Sequence, residues 1–199
     1  MGLRRPDRGR VLLEGSDITD LGVSERLSLG LGYIPSDRMR LGMVEGLSVA
    51  RNLILGRQRD GEFSNNGFLR TVEVRRYASR LISDFRIEPG DPGIPIESLS
   101  GGNQQKVVVA RELSKKPKIL IACNPTRGLD ISATSQIHGL IFGYASSGGS
   151  VLLVSADLSE VLTLSNRIGV MYRGRMVGII DAENADEETL GFMMMGVKK

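Results

Sequence analysis

The chain has 199 residues, 41% of them apolar and 25% charged, with a net charge of +3 from 26 basic and 23 acidic side chains. That balance excludes intrinsic disorder and collagen-like repeats, and it suits one globular domain or one domain with a small lobe. The charge is too weak and too dispersed to indicate nucleic acid, and Arg4, Arg5, Arg8 and Arg10 read as a solvated terminus. Arg10 to Gly15 reads as a short strand ending in a turn, and Leu31 to Ile34 as a second strand stopped by Pro35. Ser48 caps a helix running to about Leu55, and Asp60 to Gly67 is loop by composition. Thr71 starts a helix whose apolar face is Tyr77, Ala78, Leu81 and Phe85, broken by the Pro- and Gly-rich stretch Glu88 to Gly93. Lys118 to Cys123 and Ser150 to Ser155 read as buried strands. Between them Asp130 or Ser132 opens a helix presenting Ile137, Leu140, Ile141 and Tyr144 and ending at Ser147-Gly148-Gly149, a β-α-β spacing that implies parallel strands. Asp157 and Glu160 look like a capping box, Arg173-Gly174-Arg175 a hairpin turn, and Asp186, Glu187 and Glu188 the first turn of a last helix.

Single residues narrow the chemistry. Cys123 alone excludes an internal disulfide and a thiolate metal cage, and His138 alone leaves no histidine cluster for zinc or for a nucleophile triad. Cys123 therefore reads as a packed thiol, and Met193-Met194-Met195 as end-of-chain packing rather than a soft-metal site. Apolar runs such as Ile119 to Cys123 fall far short of the ~18 residues of a membrane span. The basic start has no apolar run behind it, as a signal peptide would, so a cytoplasmic location is expected.

The strongest local signal is Leu99-Ser100-Gly101-Gly102-Asn103-Gln104-Gln105-Lys106, which stands just before an apolar helix beginning at Val107. Glycines let a backbone approach a ligand, the N–H groups at a helix start favour an anion, and a serine hydroxyl adds a donor. Twelve residues after Lys106, Lys118 begins a strand that runs through Cys123 into Asn124-Pro125-Thr126-Arg127-Gly128-Leu129-Asp130. In order and spacing the two segments resemble the signature motif, the Walker B strand and the D-loop of ABC-type ATPases. The resemblance covers nearly the whole chain, with Pro6 to Val11 similar to the segment after the phosphate-loop helix. Asn103 to Lys106, Pro125 to Gly128 and Gly32 to Arg38 resemble the second nucleotide-binding half of simple-sugar and nucleoside importers, cut short on its Walker A side. Ile121 to Pro125 leans toward the nucleoside or lipoprotein-dependent branch.

This resemblance implies an α/β fold: a P-loop NTPase-like core with a mainly parallel sheet, an α-helical subdomain, and the Walker A strand and loop missing. Residues 1–35 would supply the first strands of the core, 36–115 the helical signature subdomain, and 116–199 the Walker B and D-loop core with a C-terminal hairpin and helix. The departures from the family pattern lie together. No Gly-Lys pair occurs anywhere. Cys123 stands at the Walker B aspartate, Asn124 at the catalytic glutamate, Ser36 at the Q-loop glutamine and Ala156 at the switch histidine. These positions belong to the site a half builds on its own core. Ser100, Gly101, Gly102, Gln104 and Asp130 are kept, and in the family they act in trans on a partner's ATP.

The resemblance thus implies ATP and Mg²⁺ held mainly by a partner half, none bound to this chain alone, and no hydrolysis by the isolated chain. The implied partners are an intact first ABC half, membrane permease subunits docked on the helical subdomain and, indirectly, a solute-binding protein, with the chain peripheral on the inner face of the cell membrane. Two other readings stay open. For a non-transport ABC ATPase, the 64 positions from Ser36 to Ser100 leave no room for a long coiled coil, and no charged linker is visible. The other is a folded but inert truncated fragment, whose uncovered sheet would self-associate.

Overall fold

The computed structural model describes residues 1–196. Its first hairpin is shorter than the strand expected over Arg10 to Gly15. β1 (Leu12–Leu13) pairs antiparallel with β2 (Ser16–Asp17). The turn between them is Glu14-Gly15, both at positive φ (48° and 81°), the two-residue geometry that suits the twist of paired strands. A six-residue helix that the apolar periodicity does not reveal follows as α1 (Val23–Ser28). The buried guanidinium of Arg26 donates to the carbonyls of Ile18, Thr19 and Leu21 and so ties α1 to the loop before it.

β3 (Leu31–Ile34) ends at Pro35, as its sequence requires. One turn of π-type helix, Arg38–Gly42, leads to α2 (Val49–Leu53), which the Ser48 hydroxyl caps by accepting from the Arg51 N–H. Asp60 to Gly67 is not all loop. β4 (Ser64–Asn65) pairs with β5 (Phe68–Leu69) around Asn66-Gly67 at φ 48° and 83°. α3 (Thr71–Asp84) buries Val74, Tyr77, Ala78, Leu81 and Ile82, with Phe85 at its end partly buried. It stops ahead of the Glu88–Gly93 breaker because Arg86 already adopts φ 51°. α4 (Gly101–Ser114), β6 (Ile119–Cys123) and α5 (Ile131–Ser146) follow, then β7 (Ser150–Val154), α6 (Leu158–Leu164), β8 (Arg167–Tyr172), β9 (Arg175–Asp181) and α7 (Glu187–Met194).

The principal sheet has the order β3-β6-β7. β3 and β6 are parallel, with Leu31 opposite Ile119 and Ile34 opposite Ala122. Ile34, Leu120 and Ala122 are fully buried at the centre of this pairing. β7 was expected to be buried, yet Leu152 and Val154 are 55% and 49% exposed. The physical reason is its place at the sheet's edge, with no further strand beside it among the described residues.

The fold divides into two compact units, residues 1–152 and 153–199, and the division falls within β7. The second unit has its own core of Ile168, Val170, Leu190 and Met193. Its hairpin turns on Arg173-Gly174 (φ 46° and 76°) and Asp157 caps α6, as expected, while Asp186 is the N-cap of α7 rather than part of its first turn. Of the three consecutive methionines, Met193 is buried and Met194 and Met195 are exposed. In the first unit the helical segments enclose Leu53, Phe63, Tyr77, Ile96 and Val107. Phe63 and Tyr77 meet edge to face at 4.9 Å, with the Arg57 guanidinium 4.8 Å over the Phe63 ring.

A buried charge cluster fastens α4 to β3. Glu112 accepts from Arg111 Nε at 2.8 Å and from Lys115 Nζ at 3.0 Å, and its Oε2 faces the Tyr33 N–H at 3.4 Å. Desolvation holds the Lys115 ammonium below its ordinary pKa, against the pull of Glu112. Glu112→Ala would leave Arg111 buried without its partner, so a loss of roughly 3–5 kcal/mol is expected, read as a lower urea midpoint at neutral pH. An unchanged midpoint would show that the cluster contributes nothing net.

Candidate functional site

Ser100, Gly101 and Gly102 form the start of α4. Ser100 is the N-cap: its Oγ faces the Asn103 N–H at 3.4 Å and accepts from Asn103 Nδ2 at 3.1 Å. Because those bonds use the oxygen as acceptor, the hydroxyl's own hydrogen remains to donate outward. The N–H groups of Gly101 and Gly102 belong to the first helical turn and have no intrahelical acceptor. A hydroxyl donor, two backbone N–H groups and the positive end of a 14-residue helix therefore converge on one exposed turn, an arrangement suited to an anionic oxygen.

Neither glycine of the pair is at positive φ, so the backbone conformation does not demand them. At Gly102 space does: a Cβ there would stand 2.7 Å from Ala133 Cβ of α5. At Gly101 a Cβ would stand 2.6 Å from Arg38 Nη2, the tip of a flexible side chain that would have to move.

Gln104, expected to act on a partner's ATP, lies on the packed side of the α4 start. It is buried, and its Nε2 donates to Leu99 O at 3.1 Å, which braces the approach to the helix. Sequence reasoning also passed over three polar neighbours that hold the turn in place. Asn103 Oδ1 accepts from the Glu88 N–H at 3.0 Å, Gln105 Nε2 donates to Pro125 O at 2.6 Å, and Lys106 Nζ donates to Arg86 O at 2.8 Å. Gln105 and Lys106 are buried, so each satisfies a polar group on a loop packed against α4. A run of polar residues leading straight into an apolar helical stretch was the available signal.

Asp130 caps α5 by accepting from the Ala133 N–H at 2.9 Å. The turn before it is closed by Arg127 N–H to Asn124 O (3.1 Å) and Leu129 N–H to Thr126 O (3.1 Å). Asn124 has φ 41°, a left-handed conformation that asparagine tolerates. Gln105 reaches this turn through Pro125, so α4 and the turn carrying Asp130 are joined directly.

Because β3 and β6 are parallel and in register, Ser36, Cys123 and Asn124 lie at the same C-terminal edge of the sheet, the edge where open α/β sheets bind ligands. Tyr33 stands opposite Ile121, and Cys123, two residues on, shares its face. The Tyr33 hydroxyl and the Cys123 thiol are close enough to perturb each other. Burial pushes the thiol above its ordinary pKa, and the Tyr33 hydroxyl opposes the shift without cancelling it. Burial likewise raises the Tyr33 hydroxyl. A half-buried neutral thiol does not suit a hard cation such as Mg²⁺, and the Asn124 amide has no basic site to take a proton. Ala156, exposed just beyond β7, lies in the second unit.

Over residues 1–127 the chain matches the ABC transporter family. The ribose import ATP-binding protein RbsA of Chromobacterium violaceum is 38% identical over 189 residues, which is 95% of this chain and 37% of that protein. The guanosine import ATP-binding protein NupO of Bacillus subtilis is 35% identical over 195 residues, 98% of this chain and 38% of that protein. The chain thus spans well under half the length of these relatives. Among solved structures, MJ1267, an ATP-binding cassette of an ABC transporter, superposes with a TM-score of 0.79 at 21% identity, covering 98% of this chain and 78% of that one. The cassette MJ0796, in a dimeric post-hydrolysis state with ADP and Pi, gives 0.72 at 23% identity, over 90% and 76%. At such identities the likeness establishes the fold, that of an ABC cassette with a parallel sheet and helices.

The edge of β6 is open to a chemical check. With the thiol pKa raised and the side chain half-buried, the reactive thiolate fraction and its access both fall, so iodoacetamide at pH 7.5 is expected to alkylate Cys123 more slowly than a free cysteine. The rate should still be climbing past pH 9. A rate equal to that of free cysteine at pH 7.5 would contradict a buried neutral thiol.

Proposed function

The chain belongs to the ABC transporter family, and from that membership we propose that it is the ATP-binding part of an importer for simple sugars or nucleosides, lending its signature face to a partner's nucleotide site. The relatives named as ribose and guanosine import ATP-binding proteins support the importer class. The dimeric state of MJ0796 with ADP and Pi supports a site made between two cassettes.

The observation that carries the reading is a contrast between two edges of one unit. The start of α4 offers Ser100 with a free hydroxyl hydrogen, beside the first-turn N–H groups of Gly101 and Gly102. The end of β6 offers a neutral thiol and an amide where a hard-cation ligand and a base would stand. In this reading Ser100, Gly101 and Gly102 meet the terminal phosphate of ATP held by an intact first half, Asp130 faces the same junction, and Gln104 keeps the turn in shape. Donors already in place need no reorganisation as charge develops on the phosphate, which is where such groups contribute most. ATP and Mg²⁺ sit mainly on the partner. Residues 36–115 dock on membrane permease subunits, which places the chain on the inner face of the membrane and brings a solute-binding protein within the same assembly.

The half-exposed Leu152 and Val154 of β7 favour a second reading, a folded but inert chain that self-associates through that face.

Titration with Mg-ATP, alone and mixed with an intact first half, separates the two. No binding alone and restored hydrolysis in the mixture are expected. Ser100→Arg is expected to abolish that hydrolysis, and Cys123→Ala to leave it within about twofold, because the lost group serves neither metal nor proton transfer. Full activity of the Ser100→Arg mixture, or turnover by the chain unaided, would overturn the proposal.

A further inference from the structure

We infer that Arg38 is a positioning residue that clamps the turn carrying Asp130 against the first residue of the signature helix. The inference deepens the trans-site reading, on which its functional consequence rests.

Three observations meet at this side chain. Its Nη1 donates to the main-chain carbonyl of Arg127 at 3.2 Å, at the centre of the turn from Asn124 to Asp130. Its Nη2 lies where Gly101 would carry a Cβ, 2.6 Å away. Its Nε is buried without a hydrogen-bond partner. The guanidinium is thus wedged between the start of α4 and the turn after β6, in a place where one of its donors goes unsatisfied. Unsatisfied buried donors are disfavoured, so the group stays there through its packing and the Arg127 contact rather than through full solvation.

Gly101 has no positive φ to serve, and the space a Cβ would take there is filled by the Arg38 tip, so a side chain at 101 would push the arginine out of its place. Arg38 also opens the π-type turn Arg38–Gly42, through which the chain leaves β3 for the helical segment. One planar, rigid fork therefore touches that exit, the signature turn and the Arg127 carbonyl together. A shift of the Arg38–Gly42 turn moves the fork, and the fork is the restraint on the Arg127 carbonyl, beside the bonds that Arg127 N–H makes to Asn124 O and Gln105 makes to Pro125 O. The exposed side chain of Arg127 plays no part; its carbonyl does.

Hydrogen exchange on the full chain tests the clamp. The reporters are the amides of Arg127 and Leu129, which close the turn onto Asn124 O and Thr126 O. Arg38→Ala is expected to speed their exchange about tenfold, while amides of the β8–β9 hairpin stay unchanged. Gly101→Ala, which keeps Arg38 but takes its space, is expected to do the same, and the double variant to exchange no faster than Arg38→Ala alone. Wild-type exchange at both amides in Arg38→Ala, or additive acceleration in the double variant, would overturn the clamp. In the mixture with an intact first half, Arg38→Ala is expected to lower kcat about tenfold with KM for ATP within twofold, as a misplaced but present donor set would. An unchanged kcat would remove the functional role. An inactive wild-type mixture would instead count against the trans-site reading, and the exchange result on the chain alone would still decide the clamp.

Discussion

Helix α4 is buried along almost its whole length, and the rest of the first unit is arranged by what that burial requires. From Gln104 to Glu112 every residue is buried. Val107, Val108, Val109 and Ala110 meet that condition by packing. Gln104, Gln105, Lys106, Arg111 and Glu112 cannot, because a polar or charged group without a partner is strongly disfavoured inside a protein. Each therefore dictates the position of something else: Gln104 the approach to the helix, Gln105 the turn at Pro125, Lys106 the loop after α3 through Arg86, Arg111 the α2 backbone through Asn52 O, and Glu112 the strand through Tyr33. The helix is a hub because its polar residues have to be satisfied, and the loops that satisfy them are those around the candidate site.

This has a consequence for the exposed turn at Ser100. A helix N-terminus on a mobile surface helix would place its N–H groups imprecisely. Here the same N-terminus continues into the longest buried run of helix in the unit, and Asn103 links it to Glu88 as well as to Ser100. The donors are held by packing that extends over three turns of helix behind them. Donors held in this way need little reorganisation to meet an anionic oxygen.

Much of this was legible in the sequence where local chemistry decides the outcome. Ser48, Ser100, Asp130 and Asp157 cap helices as their side chains dictate, and Arg173-Gly174 turns a hairpin. Pro35 stops β3. What escaped were features set by tertiary contact or by very short range. α1 has six residues, too few to display a period, and the Asn66-Gly67 hairpin joins strands of two residues each inside a stretch that reads as loop. The exposure of β7 follows from its place at the sheet's edge, which an apolar run cannot announce. Gln104 and Arg38 show the limit at the site itself. A glutamine beside a glycine pair looks ligand-facing, yet helical phase turns it inward, and an arginine 62 positions before Ser100 gives no local sign of reaching Gly101.

The same physics accounts for the uneven state of the two edges. A turn built on α4 is fixed by contacts that the fold needs in any case, since removing Gln105 or Asn103 would leave buried or bridging groups unpartnered. The end of β6 is under no such obligation. A side chain there that coordinates a cation contributes little to the sheet, and a thiol that packs against Tyr33 serves the strand well with no charge to solvate. An acidic group at that half-buried position would need a compensating cation to stay ionised, whereas Cys123 remains neutral without one. Stability thus accepts a neutral thiol at the strand end and fixes the donors at the helix start, which is where the two edges differ in this chain.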